Sequence, residues 1–216
     1  MLAVSLDGRL APPAGGAAQL GGSGDRRALE EALAWADAAL LGAESLRRHG
    51  TTCLIHAPDL LAARSQQGRT PQPPALVLSR SGAIPADLAF WNQPLQRWWL
   101  RPQAAGPLGV LGADSAPAWD RSLAFSSWGQ LRRSLAAQGL ERLVLLGGAQ
   151  LAGQLLAAEQ VDELQLSLCP FMLGGPHSWL PPGFNLRPCR WQLLEQRPLG
   201  GDELLLRYRR QAPPAP

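Results

Sequence analysis

The stretch that most constrains the fold is Arg142-Leu-Val-Leu-Leu-Gly-Gly-Ala-Gln-Leu-Ala-Gly-Gln-Leu-Leu156. Residues 143–146 form a short continuous apolar run, the pattern of a strand buried on both faces. Gly147-Gly148 follow at once, and Leu151, Leu155 and Leu156 then fall at helical spacing. The pattern predicts strand, glycine turn, helix. Such a turn leaves backbone N–H groups free at a helix N-terminus, with no Cβ in the way. The unpaired donors and the helix dipole both favour an anion such as a phosphate or pyrophosphate. A tight strand-to-helix turn in an ordinary α/β domain has the same pattern, so the two glycines alone leave both readings open.

The rest of the chain repeats the theme. Residues 1–5 read as a buried first strand, and Asp7-Gly8 as a turn. Residues 11–24, rich in Gly, Ala and Pro, form a loop of the length that covers a ligand, or a disordered insertion. Ser23 or Asp25 caps a helix running to about Trp35, with Leu29, Leu33 and Ala36 inward. A second buried strand at 38–41 ends in Gly42-Ala43-Glu44-Ser45, another strand-to-helix turn. A third strand, 75–78, leads into Ser79-Arg80-Ser81-Gly82, and residues 98–100 and 109–111 are further short strand candidates. A helix is expected over 130–138, stopped by Gly139. Residues 164–168 alternate cleanly and 204–208 less so; with 191–196 they predict an antiparallel end to the sheet. The sum is a mixed-sheet α/β domain with two turns at the carboxyl ends of strands, where open α/β sheets place their ligands.

Composition narrows the function classes. A length of 216 residues suits one domain, taken as residues 1–210 with a flexible tail at 211–216, although two small domains fit the length too. The net charge is only +3 and the arginines are scattered, as at Arg26-Arg27, Arg47-Arg48 and Arg132-Arg133, with no basic stripe to mark a nucleic-acid partner. A small molecule bearing phosphate suits scattered arginines. Cys53, Cys169 and Cys189 are unevenly spaced without a Cys-x-x-Cys, so neither a disulfide framework nor a metal site is expected. The apolar runs are too short to span a bilayer, and the expected setting is soluble and cytoplasmic, with no membrane partner.

Taken with Gly147-Gly148, four further segments carry a resemblance. They are Ser5-Leu6-Asp7-Gly8-Arg9, Val161-Asp162-Glu163-Leu164, Gln165-Leu166-Ser167-Leu168-Cys169-Pro170 and Leu173-Gly174-Gly175. In order and spacing they resemble the reductase domain of bacterial riboflavin biosynthesis, the C-terminal half of a bifunctional deaminase-reductase, over roughly residues 2–209. Members of that family carry several residues before the first strand. The resemblance implies a dihydrofolate-reductase-like three-layer α/β domain with a mixed, mainly parallel central sheet and an antiparallel C-terminal end. It also implies NADPH as cofactor, a small phosphorylated substrate and a homodimer. The implied reaction is hydride transfer to a phosphoribosylaminopyrimidine, converting a ribosylamino to a ribitylamino group. Such chemistry needs mainly cofactor orientation and a snug pocket. That agrees with a chain that offers no triad or carboxylate pair, and no side chain is assigned as catalytic.

The resemblance also distributes roles. Gly147, Gly148, Ala149, Gln150 and Leu151 would hold the cofactor pyrophosphate. The backbone of Ala3, Val4 and Ser5 would lie at the nicotinamide edge, with Ser5 reaching the substrate. Ser45 stands where the family has a Thr that contacts the cofactor; read from the residues alone, it is an N-cap for a helix at Leu46. Arg80 would hold the 2′-phosphate that separates NADPH from NADH, or is an exposed loop arginine. Asp7 reads as a turn former. Asp162 and Glu163 would point to opposite faces of a strand and so do not form an acid-base pair.

The chain departs from the family on the substrate side. Leu146 replaces a Glu before the Gly-Gly pair, His49 an Asp, His56 an Arg for the substrate phosphate, and Leu33 an Arg on the first helix. Arg47, Arg48 or Arg64 could take over the phosphate, and His49 and His56 could donate a proton or bind an anion. A pterin reductase, or a nucleotide-binding module that has lost catalysis, are the alternative readings. The His-x-Glu and Pro-Cys-x-x-Cys signature of a zinc deaminase does not occur in these residues, so a separate deaminase is the expected partner in the pathway.

Overall fold

A computed structural model describes residues 1–16, 19–103 and 119–211. The strand expected at 109–111 and all but the first residue of the expected tail lie outside the described residues. In chain order the elements are β1 (Leu2–Ser5), α1 (Ser23–Trp35), β2 (Ala38–Gly42), α2 (Ala43–His49), α3 (Pro58–Gln66), β3 (Ala75–Leu78), β4 (Arg97–Pro102) and β5 (Arg121–Phe125). They continue with α4 (Trp128–Ala136), β6 (Leu143–Leu145), α5 (Ala149–Ala157), β7 (Glu163–Cys169), β8 (Trp191–Gly200) and β9 (Glu203–Arg210). The chain forms two compact units, Glu30–Gly148 and Met1–Leu29 with Ala149–Pro216. Parallel strands and an antiparallel C-terminal end are both present, and they are distributed over two sheets, one in each unit.

The unit Glu30–Gly148 is built on five parallel strands in the order β5-β4-β3-β2-β6. Its central strands, β2 and β3, are apolar almost throughout, as strands covered on both faces must be. Leu40 lies between Leu76 on one side and Leu145 on the other, so the three apolar runs visible in the sequence are direct neighbours. Leu41, Ala43, Leu46, Ala75, Val77, Ile84 and Phe90 form a buried cluster, against which Leu146 packs.

Two elements of this unit escape the hydrophobic pattern. Strand β5 is an edge strand whose burial rises only toward Phe125, so it shows no alternation. Helix α3 starts with Pro58 at its first turn, and its buried side chain is Arg64, which is only 2% exposed. The Arg64 guanidinium donates to the carbonyls of Leu33 (3.2 Å), Ala34 (2.9 Å), Ala36 (2.9 Å) and Thr70 (2.8 Å). It thereby satisfies the last carbonyls of α1, which no helical N–H reaches. Burial, with Arg69 nearby as a lesser cause, lowers the Arg64 pKa to about 10. Arg64 is therefore structural, which corrects the expectation that it could hold a substrate phosphate.

The segment between α2 and α3 is held by glutamines in a strand-like manner. Gln72 accepts from Ile55 N (2.9 Å) and donates to Ile55 O (2.7 Å), and Gln93 does the same for Thr52 (2.9 and 2.8 Å). One carboxylate oxygen of buried Glu30 accepts from the N–H groups of His56 (2.9 Å) and Ala57 (2.8 Å).

The other unit carries a four-stranded mixed sheet in the order β1-β7-β9-β8. Strand β1 runs parallel to β7, pairing Leu2 with Leu166 and Ser5 with Cys169, whereas β9 is antiparallel to both β7 and β8. The β8–β9 connection is the two-residue turn Gly201-Asp202, with φ of 58° and 62°, the left-handed pair that a tight hairpin requires. Ser167, Cys169 and Leu205 are buried beneath the sheet. Buried Glu203 accepts from Gly22 N at 2.6 Å and so anchors the approach to α1. A Cβ on Gly24 would sit 1.9 Å from Leu199 O, so only glycine allows the first turn of α1 to meet β8. Among the described residues no helix is long and apolar enough to cross a membrane.

Candidate functional site

At the carboxyl ends of β6 and β2 the two strand-to-helix turns meet. Leu146 N donates to Leu40 O (2.9 Å) and Gly42 N to Gly147 O (3.1 Å), which carries the β2–β6 ladder into both turns. Gly147 is buried with φ of 115°, a conformation that side chains rarely tolerate. The Gly147–Gly148 peptide is cis. A Cβ on Gly148 would lie 2.7 Å from Ser45 Oγ. The hydroxyl and the bare glycine backbone therefore face each other across a gap that any side chain at 148 would fill.

Ser45 is not the N-cap that its position before Leu46 suggests. Helix α2 begins two residues earlier, at Ala43, and is capped by Gly42 without a side-chain hydrogen bond. Ser45 thus sits inside the first turn, where its hydroxyl is turned toward Gly148. Ala149 opens α5; Gln150 is exposed, while Leu151 is buried and can offer a ligand only its backbone.

One strand further along the sheet, β3 ends in Ser79-Arg80-Ser81-Gly82. Ser79 is buried; its Oγ accepts from Gly82 N (3.0 Å), and its carbonyl accepts from Trp99 Nε1 (2.9 Å). Gly82 has φ of 68° and packs so closely on the Trp99 ring that an added Cβ would fall 2.7 Å from it. Arg80 projects from this fixed loop and is exposed. On the neighbouring strand, the Arg101 guanidinium lies over the Trp99 ring, 5.0 Å from its centroid. Neither Trp99 nor Arg101 is conspicuous in the sequence, because both depend on β4 lying beside β3.

The expected substrate-side residues of this unit divide. His49 closes α2 and is exposed beside Arg47 and Arg48, where cations suit the negative end of a helix dipole. His56 is exposed, with its backbone held by Glu30. Leu146 packs against the apolar cluster. Arg47 donates to Ala83 O (2.8 Å) and pairs with Glu44 (3.6 Å), and Leu33 is fully buried.

In the other unit, the ends of β1 and β7 are tied by one carboxylate. Asp7 accepts from Ser5 Oγ (2.5 Å), Leu173 N (3.1 Å) and Gly174 N (2.7 Å), and pairs with Arg9 (3.7 Å). The Ser5 hydroxyl, followed by the Leu173 and Gly174 amides, holds the Asp7 pKa down to about 2. The two short motifs around Asp7 and Leu173-Gly174 are thus halves of one structure. Ser5 is fully buried and its Oγ also accepts from Arg9 N (2.9 Å), so its hydroxyl serves the turn. Ala3 and Val4 lie in β1, paired with Ser167 and Leu168. Glu163 pairs with Arg209 at 2.8 Å, and Asp162 lends its carbonyl to Arg210 N.

Comparison with known proteins agrees with this architecture. The profile of the RibD C-terminal domain family matches residues 1–205. Among solved structures, a pyrimidine reductase-like protein of Corynebacterium diphtheriae superposes with a TM-score of 0.78 at 19% identity, covering 98% of this chain and 90% of that one. RibD of Acinetobacter baumannii gives 0.74 at 20% identity, covering 97% of this chain and 56% of that one. This chain therefore spans about half the length of the Acinetobacter protein. Dihydrofolate reductase from Enterococcus faecalis, in a complex with NADP(H), gives 0.54 at 13% identity, covering 98% and 94%. These likenesses establish a dihydrofolate-reductase-like fold. No curated protein matches the chain.

Proposed function

The chain belongs to the RibD C-terminal domain family, and from that premise we propose that it is an NADPH-dependent reductase of the riboflavin-biosynthesis type. In this reading it acts on a phosphoribosylaminopyrimidine and converts its ribosylamino group to a ribitylamino group. The observation that carries the reading is the paired turn at the ends of β6 and β2. There Gly147 has a backbone that favours glycine, and a Cβ on Gly148 would collide with Ser45 Oγ. A cradle that only glycine leaves open, with a hydroxyl turned into it, suits the close backbone approach of a diphosphate.

The nicotinamide dinucleotide supplies the hydride when bound. The chain's own residues bind and orient. The backbone of Gly147, Gly148, Ala149, Gln150 and Leu151 donates to the pyrophosphate, and Ser45 adds its hydroxyl. Arg80 meets the 2′-phosphate, and the backbone of Ala3 and Val4 borders the nicotinamide. On the substrate side, His49 and His56 offer exposed imidazoles to the phosphate or the heterocycle. Ser5 and Leu146 act through what they build, the β1 turn and the wall beneath the glycine turn. A deaminase supplies the substrate.

The test supplies purified protein with NADPH and 5-amino-6-(5-phosphoribosylamino)uracil and follows loss of the reduced nicotinamide absorbance. Oxidation dependent on the pyrimidine supports the reading. Oxidation with a dihydropterin in its place would move the substrate to that class, which the apolar Leu146 before the glycines favours as a second reading. NADPH binding with neither oxidation would leave a nucleotide-binding module.

A further inference from the structure

The charges along the five-stranded parallel sheet are not balanced alike at its two ends. Three arginines at the amino ends of its strands are ion-paired, while a fourth, Arg121, lies over the Trp98 ring, 4.8 Å from its centroid, and donates to Gln138 (3.0 Å). Arg69 and Arg142 both reach Asp37, at 2.5 and 2.9 Å, and Arg97 reaches Asp120 at 3.8 Å. At the carboxyl ends of β3 and β4 stand Arg80 and Arg101, and among the described residues neither pairs with a carboxylate. The Arg101 guanidinium stacks on Trp99. A guanidinium laid on an indole is fixed in direction and still has its edge donors available for an anion.

Trp99 links the two arginines. Its Nε1 holds Ser79 O, its ring supports Gly82, and the Arg101 guanidinium lies over the same ring. The loop that bears Arg80 and the side chain of Arg101 are therefore organised by one indole on adjacent, directly paired strands. Two arginines that have no carboxylate partner among the described residues, carried at adjacent strand ends on the side of an α/β sheet where ligands bind, suit a dianion. We propose that Arg101 is a second specificity-determining residue, which acts with Arg80 on the 2′-phosphate monoester of the dinucleotide. This rests on the reductase reading above and extends it to a residue that the sequence did not suggest.

The experiment measures binding without turnover. Adenosine 2′,5′-bisphosphate, 5′-AMP, NADPH and NADH are titrated into the wild-type chain and into Arg80→Ala, Arg101→Ala, Arg101→Lys and the double alanine variant, with thermal melts to verify folding. Arg101→Ala should weaken the two 2′-phosphorylated ligands about tenfold, as loss of one charge-assisted contact does, and leave the other two unchanged. The double variant should lose about a hundredfold, and Arg101→Lys should recover part of the loss. In the wild type, the preference for the 2′-phosphate should shrink as salt is raised. Equal losses for all four ligands, or none, would overturn the proposal. A wild type that binds NADH but is indifferent to the 2′-phosphate would overturn it too, and would leave the reductase reading standing. A wild type that binds none of the four would overturn both.

Discussion

The two ends of the parallel sheet use the same residue types to opposite purposes. At the amino ends of β2 and β6, Asp37 accepts from the backbone N–H groups of Glu141 (3.0 Å) and Arg142 (2.7 Å), besides its pairs with Arg69 and Arg142. Burial pushes its carboxyl up, yet the hydrogen bonds from Arg142 and Glu141 outweigh it and leave the pKa below the usual value. Arg64 is likewise filled with backbone carbonyls. At the carboxyl ends, by contrast, a serine hydroxyl faces a bare glycine, and Arg101 lies on a tryptophan that also holds the loop bearing Arg80, neither arginine having a carboxylate partner among the described residues. A charged residue in sequence does not say which end it serves. The distinction lies in whether its hydrogen-bonding capacity is already satisfied.

Breaking the amino end should cost stability and nothing specific. Arg64→Met is expected to lose about 3 kcal/mol, because the carbonyls of Leu33 and Thr70 lose the Arg64 donor, while those of Ala34 and Ala36 keep Arg69. A urea titration reads this directly, and nucleotide affinity of the fraction that remains folded should be unchanged. A variant as stable as wild type would show that Arg64 does not close α1.

Breaking the carboxyl end should do the reverse. Gly148→Asp places bulk against Ser45 Oγ and a negative charge beside the diphosphate. NADPH affinity should fall about a hundredfold, or about 2.7 kcal/mol, with a far smaller change in melting temperature. A folded variant that binds NADPH normally would remove the glycine turn from the site.

The smallest effect belongs to Asp7, whose carboxylate is satisfied internally in the manner of Asp37. Its folded pKa, about 2, lies below the ordinary 3.8, so it adds stability above that ordinary value and loses it as pH falls toward 2. Asp7→Asn should therefore be less stable than wild type at neutral pH, and the gap should close between about pH 4 and pH 2. A gap that is constant with pH would mean that the carboxylate's charge is irrelevant to the β1–β7 tie.

The same contrast explains what could be read from sequence. Strands β2, β3 and β6 were legible because each is a continuous apolar run, and Gly147-Gly148 because glycine pairs after a strand are chemically conspicuous. Helix α3 was not, since its buried side chain is a charged one, and β5 was not, since an edge strand has little to bury. Asp7 was legible as a turn former, but its partners Leu173 and Gly174 lie far along the chain and are joined to it only through the β1–β7 pairing. Ser45 was misplaced as a cap because its helix starts earlier than the hydroxyl suggests. Arg101 was hidden because its role needs strand order, which local pattern does not supply.

The central claim is that the carboxyl end of the parallel sheet holds a nicotinamide dinucleotide. The most direct test is a titration of the purified chain with NADPH and with NADH, following nicotinamide fluorescence. Saturable binding of both, with NADPH the tighter, is the predicted result. Binding of neither would contradict the reading of Gly147, Gly148 and Ser45 as a cofactor cradle and, with it, the proposed activity.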